Sequence, residues 1–247
     1  NWKLDKNNKP EINFYIEKIH SRKGYTWKYP VHEILVYEEK NEKIKTTDDI
    51  TLNHYPDSKK SRKSYLKLLE ISVQENSEDD RNMHYLGREY MYYKKWNKSI
   101  DTLIKHLNLK NAVWKDERCA SMRFISRCYQ NLGRFDEARM WLDKAIQEAP
   151  YLRDPYMEKA LLEYRFCNWN EVIKYCLLAL TITTHQKTYI NEIFSWNNTV
   201  YDLLSIGYYE LGDYEKSYQF ANKALNMDPK DKRIKKNIKI IKQKLKK

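Results

Sequence analysis

Glycine and proline are scarce in this 247-residue chain, five and six residues against 21 tyrosines and seven tryptophans. That balance excludes collagen-like, linker-like and disordered chains, which are rich in the first pair and poor in aromatics. No run of 18 or more apolar residues occurs, and the opening Asn1-Trp2-Lys3-Leu4-Asp5 has no apolar export-signal core, so neither a membrane-spanning helix nor a signal peptide is expected. The chain also begins without methionine, and we read it as a piece of a longer polypeptide. Cysteine is limited to Cys119, Cys128, Cys167 and Cys176, two pairs with eight residues between members. Such spacing suits neither a zinc site nor a dense disulfide framework. All four read as small buried helix residues of a reducing compartment, and the expected location is cytoplasmic.

Charge is abundant. Lys and Arg number 46 against 34 Asp and Glu, a formal net of +12, while 41% of residues are hydrophobic, enough for one large core or two small ones. Apolar periodicity divides the chain near Tyr55. Before it, Ile12, Phe14 and Ile16 alternate with polar residues, His32 to Tyr37 is apolar and partly β-branched, and Ile50-Thr51-Leu52 follows a polar turn. These predict three or four short strands, too few to hold a core without the helices or without further sequence. After it, Tyr65, Leu68, Leu69 and Val73 mark one face of a helix from about Ser58 to Gln74, and Ser77-Glu78-Asp79-Asp80 predicts the cap of the next.

The remainder repeats. Small residues recur at Gly87, Ser126, Ala160 and Ser205, at offsets of 39, 34 and 45 residues. Nine residues after each stands an aromatic (Trp96, Phe135, Trp169, Tyr214), and nineteen after each stand His106, Ala145, Ala179 and Ala224. Small residues let two antiparallel helices approach closely, while Gly133 and Gly212 supply turns between them. The pattern resembles the tetratricopeptide repeat over about Asp80 to Pro229, most clearly in Tyr129 to Ala138 and Tyr208 to Tyr214. The first unit departs from it with His106 where alanine is usual, and the third lacks the turn glycine. In such arrays the first helix of each unit lines a concave face. That places Arg81, His84, Arg88, Arg123 and Arg127 on one basic groove suited to a carboxylate-rich or phosphorylated ligand. In the third and fourth units the same positions hold Asp154, Met157, Leu161, Thr199, Asp202 and Ile206, a less basic, more apolar stretch. Beyond the repeats, Lys230 to Lys247 carries ten basic residues and one Asp around the stripe Ile234, Ile238, Ile241, Leu245. This reads as an amphipathic capping helix whose lysines solvate the end of the array rather than bind nucleic acid or membrane.

Chemistry is suggested by one stretch. The run Trp27-Lys28-Tyr29-Pro30-Val31-His32-Glu33-Ile34-Leu35, the Ile50-x-x-x-His54 segment, and Ser77 to Arg81 leading into His84 to Glu89 resemble the C-terminal half of family 2 glycosyltransferases of the GT-A fold that carry tetratricopeptide repeats. The resemblance implies transfer of a sugar from a nucleotide-sugar donor to a protein or glycan acceptor, using divalent Mn or Mg in the complete enzyme. By position it makes Glu33 the candidate base or acceptor-binding group, His32 a metal ligand or the group that orients Glu33, and His54 a ligand that completes the metal site. Neighbouring strands of one sheet would bring these together. The family's Asp-x-Asp strand end is missing, and neither Asp48-Asp49 nor Asp79-Asp80 replaces it, so this chain alone should hold no metal and be inactive.

The expected architecture is therefore mainly α. Residues 1–56 form a β-containing remnant of a GT-A domain, 57–79 a connecting helix, 80–229 a solenoid of four tetratricopeptide-type hairpins, and 230–247 a basic cap. The leading function is the C-terminal region of a glycosyltransferase whose repeats orient the acceptor. The alternative is a stand-alone scaffold that binds acidic peptides without catalysis.

Overall fold

The computed structural model describes residues 3–4, 10–17, 19–39, 41–55 and 63–246. They fall into two compact units, residues 1–133 with 187–190, and residues 134–186 with 191–247.

The first unit opens with two separate antiparallel hairpins, β1 (Lys3–Leu4) with β2 (Pro10–Ile12), and β3 (Tyr25–Lys28) with β4 (Ile34–Tyr37). In the second, Tyr25 faces Tyr37 and Lys28 faces Ile34. The strand expected from His32 starts two residues later, because Tyr29 and His32 both take left-handed backbone angles, φ 76° and 56°, that no strand accommodates. The strand expected at Ile50 to Leu52 does not form; both apolar side chains are exposed and no described strand pairs with them. The alternation through Phe14 and Ile16 likewise stays outside the ladder that ends at Ile12. Two isolated two-stranded hairpins thus stand where closing strands of a larger sheet were expected, and hairpins of this size do not identify a GT-A domain.

Such hairpins are marginal alone. Buried Val31 ties the second one to Leu66 and Leu69 of α1 (Lys63–Glu75) and to Tyr85, Leu86 and Tyr90 of α2 (Asp80–Tyr92). The helix start read near Ser58 lies in residues 56–62, outside the described part. Asp79 caps α2, its Oδ1 accepting the Asn82 N–H at 2.8 Å, worth about 1 kcal/mol. Next come α3 (Trp96–Asn108) and α4 (Lys115–Asn131). Gly87 has no side chain because none fits: a Cβ there would sit 2.5 Å from Leu103 of α3. Across the same contact Ser99 donates to the Gly87 carbonyl at 2.7 Å.

The second unit runs through α5 (Phe135–Glu148), α6 (Arg153–Tyr164), α7 (Trp169–Thr181), a single 3-10 turn at Ile193–Ser195, α8 (Thr199–Glu210), α9 (Tyr214–Met227) and α10 (Lys232–Leu245). One core joins Met157 and Ala160 of α6, Val172, Ile173, Cys176 and Ala179 of α7, and Val200, Leu203 and Leu204 of α8. A second buries Ile234, Ile238 and Ile241 of α10 against Ala221 and Ala224 of α9, the apolar stripe turned inward and the lysines left in water. Asp231 caps α10 by accepting from the N–H groups of Arg233 and Ile234.

Seven residues after each small residue the backbone turns left-handed, at Lys94 (φ 57°), Gly133 (75°), Cys167 (56°) and Gly212 (82°). The third unit, which lacks the turn glycine, still makes the left-handed turn with Cys167, as the first does with Lys94. Cys167 corrects the reading of four buried cysteines. All four are free thiols, but Cys167 is exposed in a turn while Cys119, Cys128 and Cys176 are buried.

Candidate functional site

In the first unit, α2, α3 and α4 aim polar side chains inward. His84 Nδ1 lies 2.8 Å from Ser121 Oγ, and the same oxygen lies 3.0 Å from His106 Nδ1. His106 Nε2 is 3.5 Å from Glu117 Oε1, and the other carboxylate oxygen of Glu117 accepts the Tyr189 hydroxyl at 2.7 Å. All of His84, His106, Glu117 and Ser121 are buried. Burial pushes the His84 imidazole down to about 3, with His106, Arg88 and Arg123 acting in the same direction, so it is neutral at ordinary pH. For Glu117, burial alone would raise the carboxyl; His84, then His106 and the hydrogen bond from Tyr189, outweigh it and hold the group at about 2. Burial raises the Tyr189 phenol far above its ordinary range, so it stays a donor.

The basic groove positions are present, and the chain itself takes them up. Arg123 is buried and its Nη2 donates to the Ile190 carbonyl at 2.8 Å. Tyr189 packs its ring beside Tyr85, Trp114 and Phe14. Arg81 donates to the His32 carbonyl at 3.2 Å, and Arg88 reaches His32 Nε2 at 3.3 Å. The His32 ring stacks on Tyr85 with centroids 4.0 Å apart, and both arginines also lie over that tyrosine. Arg127 is half-buried over the Phe124 ring. His84 sits wholly inside the network above, so it does not line an open groove.

The second unit treats its equivalent positions the same way. Asp154 is buried and accepts from Glu192 N at 2.7 Å, Ser195 Oγ at 3.0 Å and Asn191 Nδ2 at 3.3 Å. Arg153 donates to the Ile182 carbonyl and covers Trp196, on which His185 stacks. Asp202 pairs with Arg233 at 2.8 Å.

The metal-site residues implied by the glycosyltransferase resemblance are placed differently. His32 is half-buried in the turn before β4, Glu33 is exposed beside it, and His54 is half-buried in a segment without regular structure. A guanidinium donating to His32 Nε2 occupies the lone pair that a metal would need. So engaged, His32 does not offer its Nε2 to a divalent cation. Among the described residues, the three possible ligands that converge are His84, His106 and Glu117.

Ser121, Tyr189 and Ile190 were not anticipated. Two signals pointed toward them, His106 in an alanine position and the 45-residue offset that lengthens the chain between α7 and α8.

A tetratricopeptide repeat family model matches residues 124–151 and 200–231, so the chain carries such repeats. No curated protein matches it. Among solved structures it is similar to MamA, at 15% identity and a TM-score of 0.55 over 72% of this chain and 98% of that one. PilF of Pseudomonas aeruginosa aligns at 11% identity and 0.53 over 72% of each chain. A chain of the Cut9–Hcn1 assembly of the APC/C aligns at 12% and 0.55 over 74% of this chain and 33% of that one. These likenesses concern the fold. No described helix is long and apolar enough to cross a membrane.

Proposed function

We propose that this chain is a protein-interaction module that binds an extended segment of a partner along the helical hairpins of its first unit. One observation carries the reading: side chains at and beside the groove positions already hold a distant part of the chain, Arg123 gripping a backbone carbonyl and Glu117 a tyrosine hydroxyl. Side chains that grip this chain's own Tyr189 and Ile190 have the chemistry to grip a similar foreign segment. Arg81, Arg88 and Arg127 add positive charge, which favours a partner segment carrying carboxylates. Titrating a labelled Glu-rich peptide tests this. The Tyr189→Ala protein should bind more tightly than the parent, and Arg88→Ala/Arg127→Ala should lose binding. Equal affinities across the three proteins would end the proposal.

A second reading keeps the glycosyltransferase: the hairpins would hold the acceptor for a catalytic half supplied by preceding sequence. It is supported by the sequence resemblance around Trp27 to Leu35. Glu33→Gln in a complete enzyme should then abolish turnover, and near-normal turnover would remove Glu33 as the base.

A further inference from the structure

We propose that His84, His106 and Glu117 form a buried binding site for a divalent transition-metal ion of the zinc type. The three side chains come from α2, α3 and α4, and one ligand atom from each lies within 4.8 Å of the others. Both imidazole Nε2 atoms are buried and make no hydrogen bond. Leaving such an atom unsatisfied costs about 1–3 kcal/mol, and nothing in the hairpin design asks for it. The position of His106 is filled by Ala145, Ala179 and Ala224 in the other repeats, and that of His84 by Met157 in the third.

Ser121 supplies the supporting contact. Its Oγ faces both Nδ1 atoms, at 2.8 and 3.0 Å. With Nδ1–H of each imidazole donating to that oxygen, both Nε2 lone pairs point away from it, the arrangement that outer-shell partners impose on metal-bound histidines. Tyr189 restrains the second Glu117 oxygen in the same manner. Two imidazoles and one carboxylate suit zinc, whereas Mg and Ca prefer all-oxygen sets. Bonds of about 2.0–2.1 Å around a tetrahedral centre require the ligands to draw together by about 1 Å, leaving a fourth position for water.

The test is titration of the metal-stripped full chain with Co2+, followed visibly, and then with Zn2+. The expected result is the absorption of a tetrahedral site at one equivalent, displaced by Zn2+, with a raised melting temperature. His106→Ala, whose new residue is the one the other repeats use, should fold by circular dichroism and lose the spectrum and the thermal shift. Ser121→Ala should weaken binding by about 10–100-fold. Absence of binding by the parent chain, or a spectrum unchanged in both His106→Ala and Glu117→Gln, would overturn the site.

Discussion

The α2–α3 pair of the first unit and the α6–α7 pair of the second follow one repeat plan with opposite interiors. Where the first has Gly87, Ser99, His84 and His106, the second has Ala160, Val172, Met157 and Ala179. In the first, a serine hydroxyl bonds the facing helix and two imidazoles share another serine; in the second, the same positions form a continuous apolar core. Both buried sets make a hairpin with the same left-handed turn. Close helix approach and turn geometry are what the plan demands, so the chemistry of the remaining interior positions is free to vary and to carry something other than stability.

Acid should separate the two pairs most. His84 is held neutral in the fold, down at about 3, while an unfolded histidine titrates near 6.5. Below 6.5 the unfolded chain binds a proton that the folded one refuses, so stability is full above that pH and falls as pH drops toward 3. The loss is at most about 1.4 kcal/mol per pH unit for that proton. Glu117, held at about 2 against an ordinary 4.5, adds a loss of the same sign below 4.5. The groups facing His84 are Glu117, His106, Arg88 and Arg123. His84→Met, which installs the residue of the third repeat, should flatten urea-unfolding stability between pH 6.5 and 4.5. A slope that survives this change would show that the histidine interior is not what distinguishes the pairs.

A substitution at the close approach comes next in size. Gly87→Ala puts a methyl group 2.5 Å from Leu103, which is wholly buried and has nowhere to retreat. The expected cost is about 1–3 kcal/mol. Ala160→Gly, the reverse exchange, removes one methyl from a helix interior and should cost about 1 kcal/mol. Thermal melts that rank the two the other way would mean that the α2–α3 contact relaxes more easily than its geometry implies.

The repeat plan was legible in the sequence because its signals are local: a small residue, an aromatic nine later and an alanine-type position nineteen later all belong to one hairpin. The occupants of the groove were not, because they come from far along the chain. Tyr189 meets Glu117 across 72 residues and Ile190 meets Arg123 across 67. Their segment has no periodicity, and only the long offset between the third and fourth small residues announced it. His32 illustrates a different limit. Its neighbours Ile34 to Tyr37 do form a strand, but His32 itself takes a left-handed angle with its ring stacked on Tyr85, a contact made across 53 residues that the local apolar pattern does not announce.

The smallest expected effect concerns the turn that both pairs share. In the first, Lys95 N donates to the Tyr90 carbonyl and Lys94 N to that of Met91; in the third, Asn168 N donates to Glu163 and Cys167 N to Tyr164. The fourth closes identically with Asp213 to Tyr208 and Gly212 to Tyr209. This is the Schellman pattern, whose left-handed residue is usually glycine. A side chain there costs about 1–2 kcal/mol, and glycine returns part of that through the greater freedom of the unfolded chain. Lys94→Gly and Cys167→Gly should therefore each stabilise their own hairpin by about 0.5–1 kcal/mol. Equal gains would show that the turn is indifferent to the polar or apolar interior beneath it. A gain at Cys167 with none at Lys94 would instead tie the first turn to Tyr90, whose ring lies under the Lys95 ammonium at 5.7 Å and whose hydroxyl donates to Glu70.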